Sequence, residues 1–97
     1  NWLMDIARSD IVKSAAGRDK GKLFFVLAVE EDYLLLADGR YRKLESPKRK
    51  KRRHTVFFAR GEGRTAEKIR NDEKVTNSEL RRTLAAFGEE GNPDQEG

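Results

Sequence analysis

The chain has 97 residues, of which 39% are charged and 36% hydrophobic, and a formal net charge of +4; this is one domain with a small core and a densely charged surface. It holds no cysteine, which excludes disulfides, thiolate chemistry and sulfur-held metals and suits a reducing cytosol, and its one histidine, His54, cannot build a metal site alone. No apolar run approaches the roughly 20 residues of a membrane-crossing helix, and no signal peptide is visible.

The first nine residues read as a lead-in, with Asn1–Leu3 (and so Trp2) set aside from the fold. Asp10–Ser14 reads as a strand. Ala15–Gly21 reads as a loop, because two glycines four apart with charges between them support neither a helix nor a strand interior. Lys22–Val29 is a nearly continuous apolar run rich in Phe and Val, a strand with both faces covered, as in a closed or strongly curled small sheet. After the polar turn Glu30–Asp32, Tyr33–Ala37 is the next strand. Asp38-Gly39 is a hairpin signal, so Arg40–Leu44 is expected to be its paired fourth strand. Pro47 breaks pairing and opens the basic run Lys48–Arg53, expected as a loop over 45–54, and Thr55–Ala59 is a last short strand. Four or five short antiparallel strands with tight turns predict a mainly β fold, a small SH3-like barrel over residues 10–60.

Composition changes after Arg60. Gly61 and Gly63 suggest a flexible joint, and Thr65–Asn71 a short helix with Ala66 and Ile69 on one side. Thr76-Asn77-Ser78-Glu79 fits a capping box that starts a helix over Asn77–Phe87. That helix carries Leu80, Leu84 and Phe87 as a narrow apolar stripe, and Gly88 is its expected stop. The default reading packs the stripe on the barrel; the alternative, a protein-interaction adaptor, docks it in a partner's groove. Residues 88–97, with four acids and no base, read as a disordered end.

Charge is distributed unevenly. From Asp38 to Arg60 ten Lys or Arg residues face only Asp38 and Glu45, which points to a polyanionic partner. Six adjacent positive charges, Lys48, Arg49, Lys50, Lys51, Arg52 and Arg53, repel one another. They form either a solvated loop or a face that phosphates would relieve by counterion release. With Arg40, Arg42 and Lys43 leading in, His54 at its end and Arg18, Lys20 and Lys22 in the glycine loop, the expectation is one continuous anion-binding rim. Glycine leaves no side chain between the backbone and a ligand, so Gly21 joins the candidates, although a two-glycine turn kept for geometry alone is the plain alternative. The spacing is not a nucleotide-binding phosphate loop, since the second glycine comes one residue early and a strand follows. Tyr33 and Tyr41 are the candidate stacking rings, whereas Phe24, Phe25, Phe57 and Phe58 read as core.

Asp10 to Val26, DIVKSAAGRDKGKLFFV, resembles a KOW motif: apolar residues before a first glycine, a second glycine four later, a basic residue, then an apolar strand. Ala37-Asp38-Gly39 strengthens the match, and Ser14 and Ala15 depart from it, being small where a bulkier residue is usual. The chain is similar to the KOW modules of archaeal and eukaryotic large-subunit ribosomal proteins and to their short bacterial relatives, with the motif glycine at Gly21. The resemblance implies an SH3-like barrel that binds RNA, ribosomal RNA first, or a protein of the transcription or translation machinery. The expectation is a cytoplasmic, ribosome-associated or ribosome-assembly protein, a monomer when free, with ribosomal proteins as further partners. No cofactor, membrane or enzymatic activity is expected, because no acids, bases and nucleophile converge in the sequence. Phosphate contacts alone barely separate RNA from DNA, so non-specific DNA binding stays open beside the adaptor.

Overall fold

The structure is a computed structural model that describes residues 5–90. Five strands, β1 (Ile11–Ser14), β2 (Leu23–Glu30), β3 (Tyr33–Ala37), β4 (Lys48–Lys51) and β5 (Thr55–Ala59), precede two helices, α1 (Arg64–Arg70) and α2 (Asn77–Glu90). All pairings are antiparallel, and the spatial order is β4-β3-β2-β1-β5.

The apolar run of β2 resolves into two alternating sets. Leu23, Phe25 and Leu27 join Ile11, Ala37 and the helix residues Ala66, Ile69, Leu80 and Leu84 in one cluster. Phe24 and Val26 join Ile6, Val12, Leu34, Leu36 and Phe57 in the other. The sheet is therefore covered on both faces, by helices on one side and by its own curvature on the other. Successive strand residues point to opposite faces, so a strand buried on both reads as a continuous apolar run.

The expected five antiparallel strands are present, but the sheet is not closed into a barrel. β4 and β5 are its two edges, yet only Arg52–His54, a single 3₁₀ turn, lies between them. Edges of a flat five-stranded sheet would lie roughly 19 Å apart, and four residues reach at most about 14 Å. The sheet must curl to bring the edges together at that end, and no ladder joins them. The amide of Arg52 donates to the Asp32 carbonyl at 2.7 Å, and Tyr33 pairs with Lys51. By the alternation of an antiparallel ladder, the amides of Arg49 and Lys51 face the open edge.

The fourth strand is not where the sequence suggested. Arg40–Leu44 forms no strand, and Asp38-Gly39 does not turn a hairpin. Asp38 Oδ1 instead accepts the amides of Arg40 (3.0 Å) and Arg42 (2.8 Å), while the Asp38 and Gly39 amides donate to the Arg42 carbonyl. Gly39, at φ +81°, lies so close to α2 that a Cβ would sit 2.3 Å from the Asn77 carbonyl oxygen. The loop is thus moulded onto the helix, and the basic run supplies the strand. Alternation lets it do so, since neighbouring charges leave on opposite faces, and a lysine-rich edge suits an unpaired strand margin.

Gly61 is no flexible joint. It is buried, a Cβ there would lie 1.9 Å from the Ser9 carbonyl oxygen, its amide donates to Asp10 Oδ1 at 3.1 Å and its carbonyl accepts from Arg70 at 2.8 Å. Asp10 is itself a buried hub, also accepting the Ala7 amide and Arg60 Nη1. α1 buries Ala66 and Ile69, the predicted side. The α2 capping box forms: the Thr76 amide donates to Glu79 Oε1 at 2.8 Å, and the Glu79 amide donates to Thr76 Oγ1 at 3.1 Å. Leu80 and Leu84 are buried and Phe87 packs beside them, so the apolar stripe is used within the chain and not left for a partner's groove. The helix runs through Gly88 to Glu90, because one exposed glycine costs a helix only about 1 kcal/mol against alanine and does not end it by itself. Trp2 and residues 91–97 lie outside the described residues. Among the described residues no helix is long and apolar enough to cross a membrane.

Glu79 couples the helix start to acid stability. Lys68 Nζ donates to it at 2.6 Å, and that bond, followed by the one from the Thr76 amide, lowers its pKa from 4.5 to about 2. The folded pKa is the depressed one, so the contribution is complete above the ordinary value and lost as pH falls from 4.5 toward 2. The melting temperature should drop through that window, and Glu79→Gln should drop less; an identical acid profile for the two proteins would refute the assignment.

Candidate nucleic-acid interface

The glycine loop is closed by its own backbone. The Ser14 amide donates to the Lys22 carbonyl at 2.9 Å and the Gly21 amide donates back to the Ser14 carbonyl at 2.8 Å. The Lys20 and Lys22 amides donate to the carbonyls of Gly17 and Asp19. Gly17 and Gly21 have φ of +87° and +90°, conformations that glycine adopts without a Cβ penalty. The glycines therefore serve the turn, and the Gly21 amide is spent within the loop instead of facing a ligand. What the loop presents outward is the exposed side chains of Arg18 and Lys20.

Asp19 points inward. Its Oδ1 accepts from Ser14 Oγ at 2.6 Å and from Lys50 Nζ at 3.0 Å, and Lys50 Nζ also donates to the Ala16 carbonyl at 2.8 Å. Burial alone would raise the Asp19 carboxyl, but the hydrogen bonds from Ser14 and Lys50, with the charges of Lys50 and Lys48, hold it below the ordinary carboxylate value. Ser14, small where the KOW pattern has a bulkier residue, is thus the buried donor to this carboxylate. Lys50 is only 7% exposed and is a pin between β4 and the glycine loop, not part of the outer basic rim. Strand alternation explains this: Lys48 and Lys50 face the curled interior, while Arg49 and Lys51 face away. Arg49 donates from Nε to Glu30 at 3.1 Å, with its guanidinium 3.7 Å from the centre of the Tyr33 ring.

The remaining cations gather at the two ends of β4. At its start, a cavity of about 260 Å³ is lined by Arg18, Arg42, Lys48, Tyr41, Phe24 and Asp19. Its one acid is already engaged by Ser14 and Lys50, with Lys48 Nζ 3.9 Å from Oδ2. The Lys22 ammonium lies 4.3 Å from the centre of the Tyr41 ring, which is 61% exposed. Lys22 also lines a neighbouring cavity of about 320 Å³ with Arg40, Asp38 and Arg81. Arg81 was not anticipated. It sits on the helix turn against which Gly39 packs, and its Nη1 donates to the Gly39 carbonyl at 2.7 Å. Nothing in the local sequence separates Arg81 from its exposed neighbour Arg82. Lys43 is exposed and lines neither cavity.

At the far end of β4, Lys51, Arg52 and Arg53 line a groove of about 610 Å³ with Tyr33, Phe57, Val56 and Ile6. Asp5 and Asp32 line it too. Arg52 Nη2 donates to the Ile6 carbonyl at 3.1 Å. His54 is half-buried and its carbonyl accepts the Ala15 amide at 2.8 Å. The single continuous rim expected from sequence is thus two cationic groups joined by one strand. Of the four phenylalanines read as core, Phe24 and Phe25 are buried and Phe57 is packed in the cluster of Phe24, whereas Phe58 is 36% exposed, edge-on to Phe87. Among the described residues no group of His, Cys, Asp and Glu is arranged to hold a metal ion.

Comparison of the sequence with models of known protein families finds no match, and comparison with curated proteins finds none either.

Proposed function

We propose that the protein binds RNA through its phosphate backbone, as a cytosolic ribosome-associated or ribosome-assembly protein of KOW type. The observation that carries the reading is the cavity at the start of β4, where Arg18, Arg42 and Lys48 converge and the only carboxylate is already hydrogen-bonded. Cations brought together without matching acids favour a polyanion, because each phosphate contact releases counterions. Lys22 on the Tyr41 ring, with Arg40 and Arg81 beyond it, extends the same charge along one side of the molecule. The resemblance of Asp10–Val26 to a KOW motif supports RNA over DNA and points to ribosomal RNA.

Fluorescence anisotropy of a labelled single-stranded RNA, titrated between about 50 and 300 mM KCl, tests the reading. Four phosphate contacts predict a log–log slope near −3, at about −0.7 for each contact on a single strand. The double variant Arg18→Gln, Lys48→Gln should weaken binding and flatten the slope by roughly 1.4. A slope near zero, or a double variant that binds like the parent, would overturn it.

A further inference from the structure

The groove at the far end of β4 differs in kind from the cavity at its start. Two aromatic residues, Tyr33 and Phe57, line it together with Lys51 and Arg53, and so do two acidic residues, Asp5 and Asp32. A site built only for phosphate would not carry two acids among its cations. Rings, cations and acids together match the three parts of an unpaired nucleotide: a flat base, a phosphate, and the amino group on the edge of cytosine, adenine or guanine. We infer that this groove is a second site that takes one unpaired, amino-bearing base of an RNA strand, and it rests on the RNA reading above.

The parts are held in place. Arg49 stacks on one face of the Tyr33 ring at 3.7 Å and is itself anchored to Glu30 at 3.1 Å, so that ring is held before any ligand arrives. The groove lies where the curled sheet fails to close, between the free edges of β4 and β5, and the Lys51 amide faces that edge by the register of the ladder. Lys48 and Lys51 are three residues apart, about 10 Å along a strand. One RNA strand running beside β4 therefore meets the phosphate cavity at one end and the aromatic groove at the other. Carboxylates accept from the amino group of cytosine and have no donor to satisfy on the corresponding oxygen of uracil. Cytosine should therefore be favoured over uracil, two bases of equal ring size.

The test uses the full chain, with labelled oligo(C) and oligo(U) of eight nucleotides and a blunt RNA duplex, read by anisotropy at constant salt. The parent should prefer oligo(C) about fivefold or more, and Asp32→Asn, which adds an amide donor, should level the two. Tyr33→Leu should weaken oligo(C) binding about tenfold, within the range known for loss of one stacked base. It should leave the duplex unaffected, and Tyr33→Phe should retain binding. Urea unfolding of each variant checks that the fold is kept, and Asp32→Asn supplies a result that does not depend on the Tyr33 variants. If Tyr33→Leu and Asp32→Asn bind both oligonucleotides like the parent while Arg18→Gln, Lys48→Gln weakens all three RNAs, the base site is wrong and the phosphate reading stands. If the parent binds none of the RNAs, both are wrong. An oligo-glutamate peptide that binds the parent but not Tyr33→Leu, with oligo(C) unaffected, would overturn the base site in favour of a peptide groove.

Discussion

Asp19→Ala should destabilise the protein by about 3–5 kcal/mol, the range for breaking a buried ion pair from one side. The variant strands the Lys50 ammonium, 7% exposed, with the Ala16 carbonyl as its remaining partner, and leaves Ser14 without its carboxylate acceptor. Small domains are stable by only about 5–15 kcal/mol, so the loss takes a large share of the whole. In urea the midpoint should fall by roughly 2 M, given a slope of about 1–3 kcal/mol per M. The double variant Asp19→Ala, Lys50→Met removes both charges and offers apolar surface instead, and it should recover most of the stability. A double variant no more stable than Asp19→Ala would show that packing around the loop, not the stranded charge, sets the cost.

Leu80→Ala ranks next. Leu80 is fully buried where α2 meets Ile11, Phe25 and Ala37 of the sheet and Ala66 and Ile69 of α1. Truncating such a leucine costs about 2–5 kcal/mol, part lost transfer energy and part unfilled cavity. The sheet and the helices share this core, so CD signals from strand and helix should melt together at a lower denaturant concentration. Removing everything after Arg60 should abolish the cooperative transition. A truncated chain that keeps a sharp transition would mean that the curled sheet is self-sufficient and the helices are an appendage.

How legible the molecule was in its sequence depended on which force set each element. β2, β3 and β5 were readable because burial writes itself as apolar residues, and the α2 start because Thr76 and Glu79 are a local chemical device. β4 was not readable. A run of six cations carries no hydrophobic pattern, and it pairs because Lys50 meets Asp19 across 31 residues of sequence. The Asp38-Gly39 signal misled for a related reason: the turn chemistry was real, but the glycine was needed for contact with Asn77 in α2. Gly61 likewise looked like slack and is the tightest glycine packing described here. At the candidate site, Arg18, Lys22, Arg40, Arg42 and Lys48 were legible as charge. Arg81, Asp32 and the ring of Phe57 belong to it only through the fold.

The single 3₁₀ turn between β4 and β5 also bears on how the molecule forms. β1 finds β2 across one short loop, but its other neighbour, β5, is about forty residues further on, a closure that costs about 3 kcal/mol of chain entropy. The meander from β1 to β4 can zip up through near neighbours first. Only its curl then places the three-residue turn so that β5 arrives against β1. Contacts this distant in sequence slow folding, and they make the β1–β5 ladder the natural last step. Until that step Thr55–Ala59, TVFFA, is an uncharged, β-prone segment without a partner, with Val56 still 53% exposed afterwards. The residues that complete the sheet are thus also the ones most apt to pair with another chain while they wait. The five cations just upstream, Arg49 to Arg53, stand where a gatekeeper against that association would be placed.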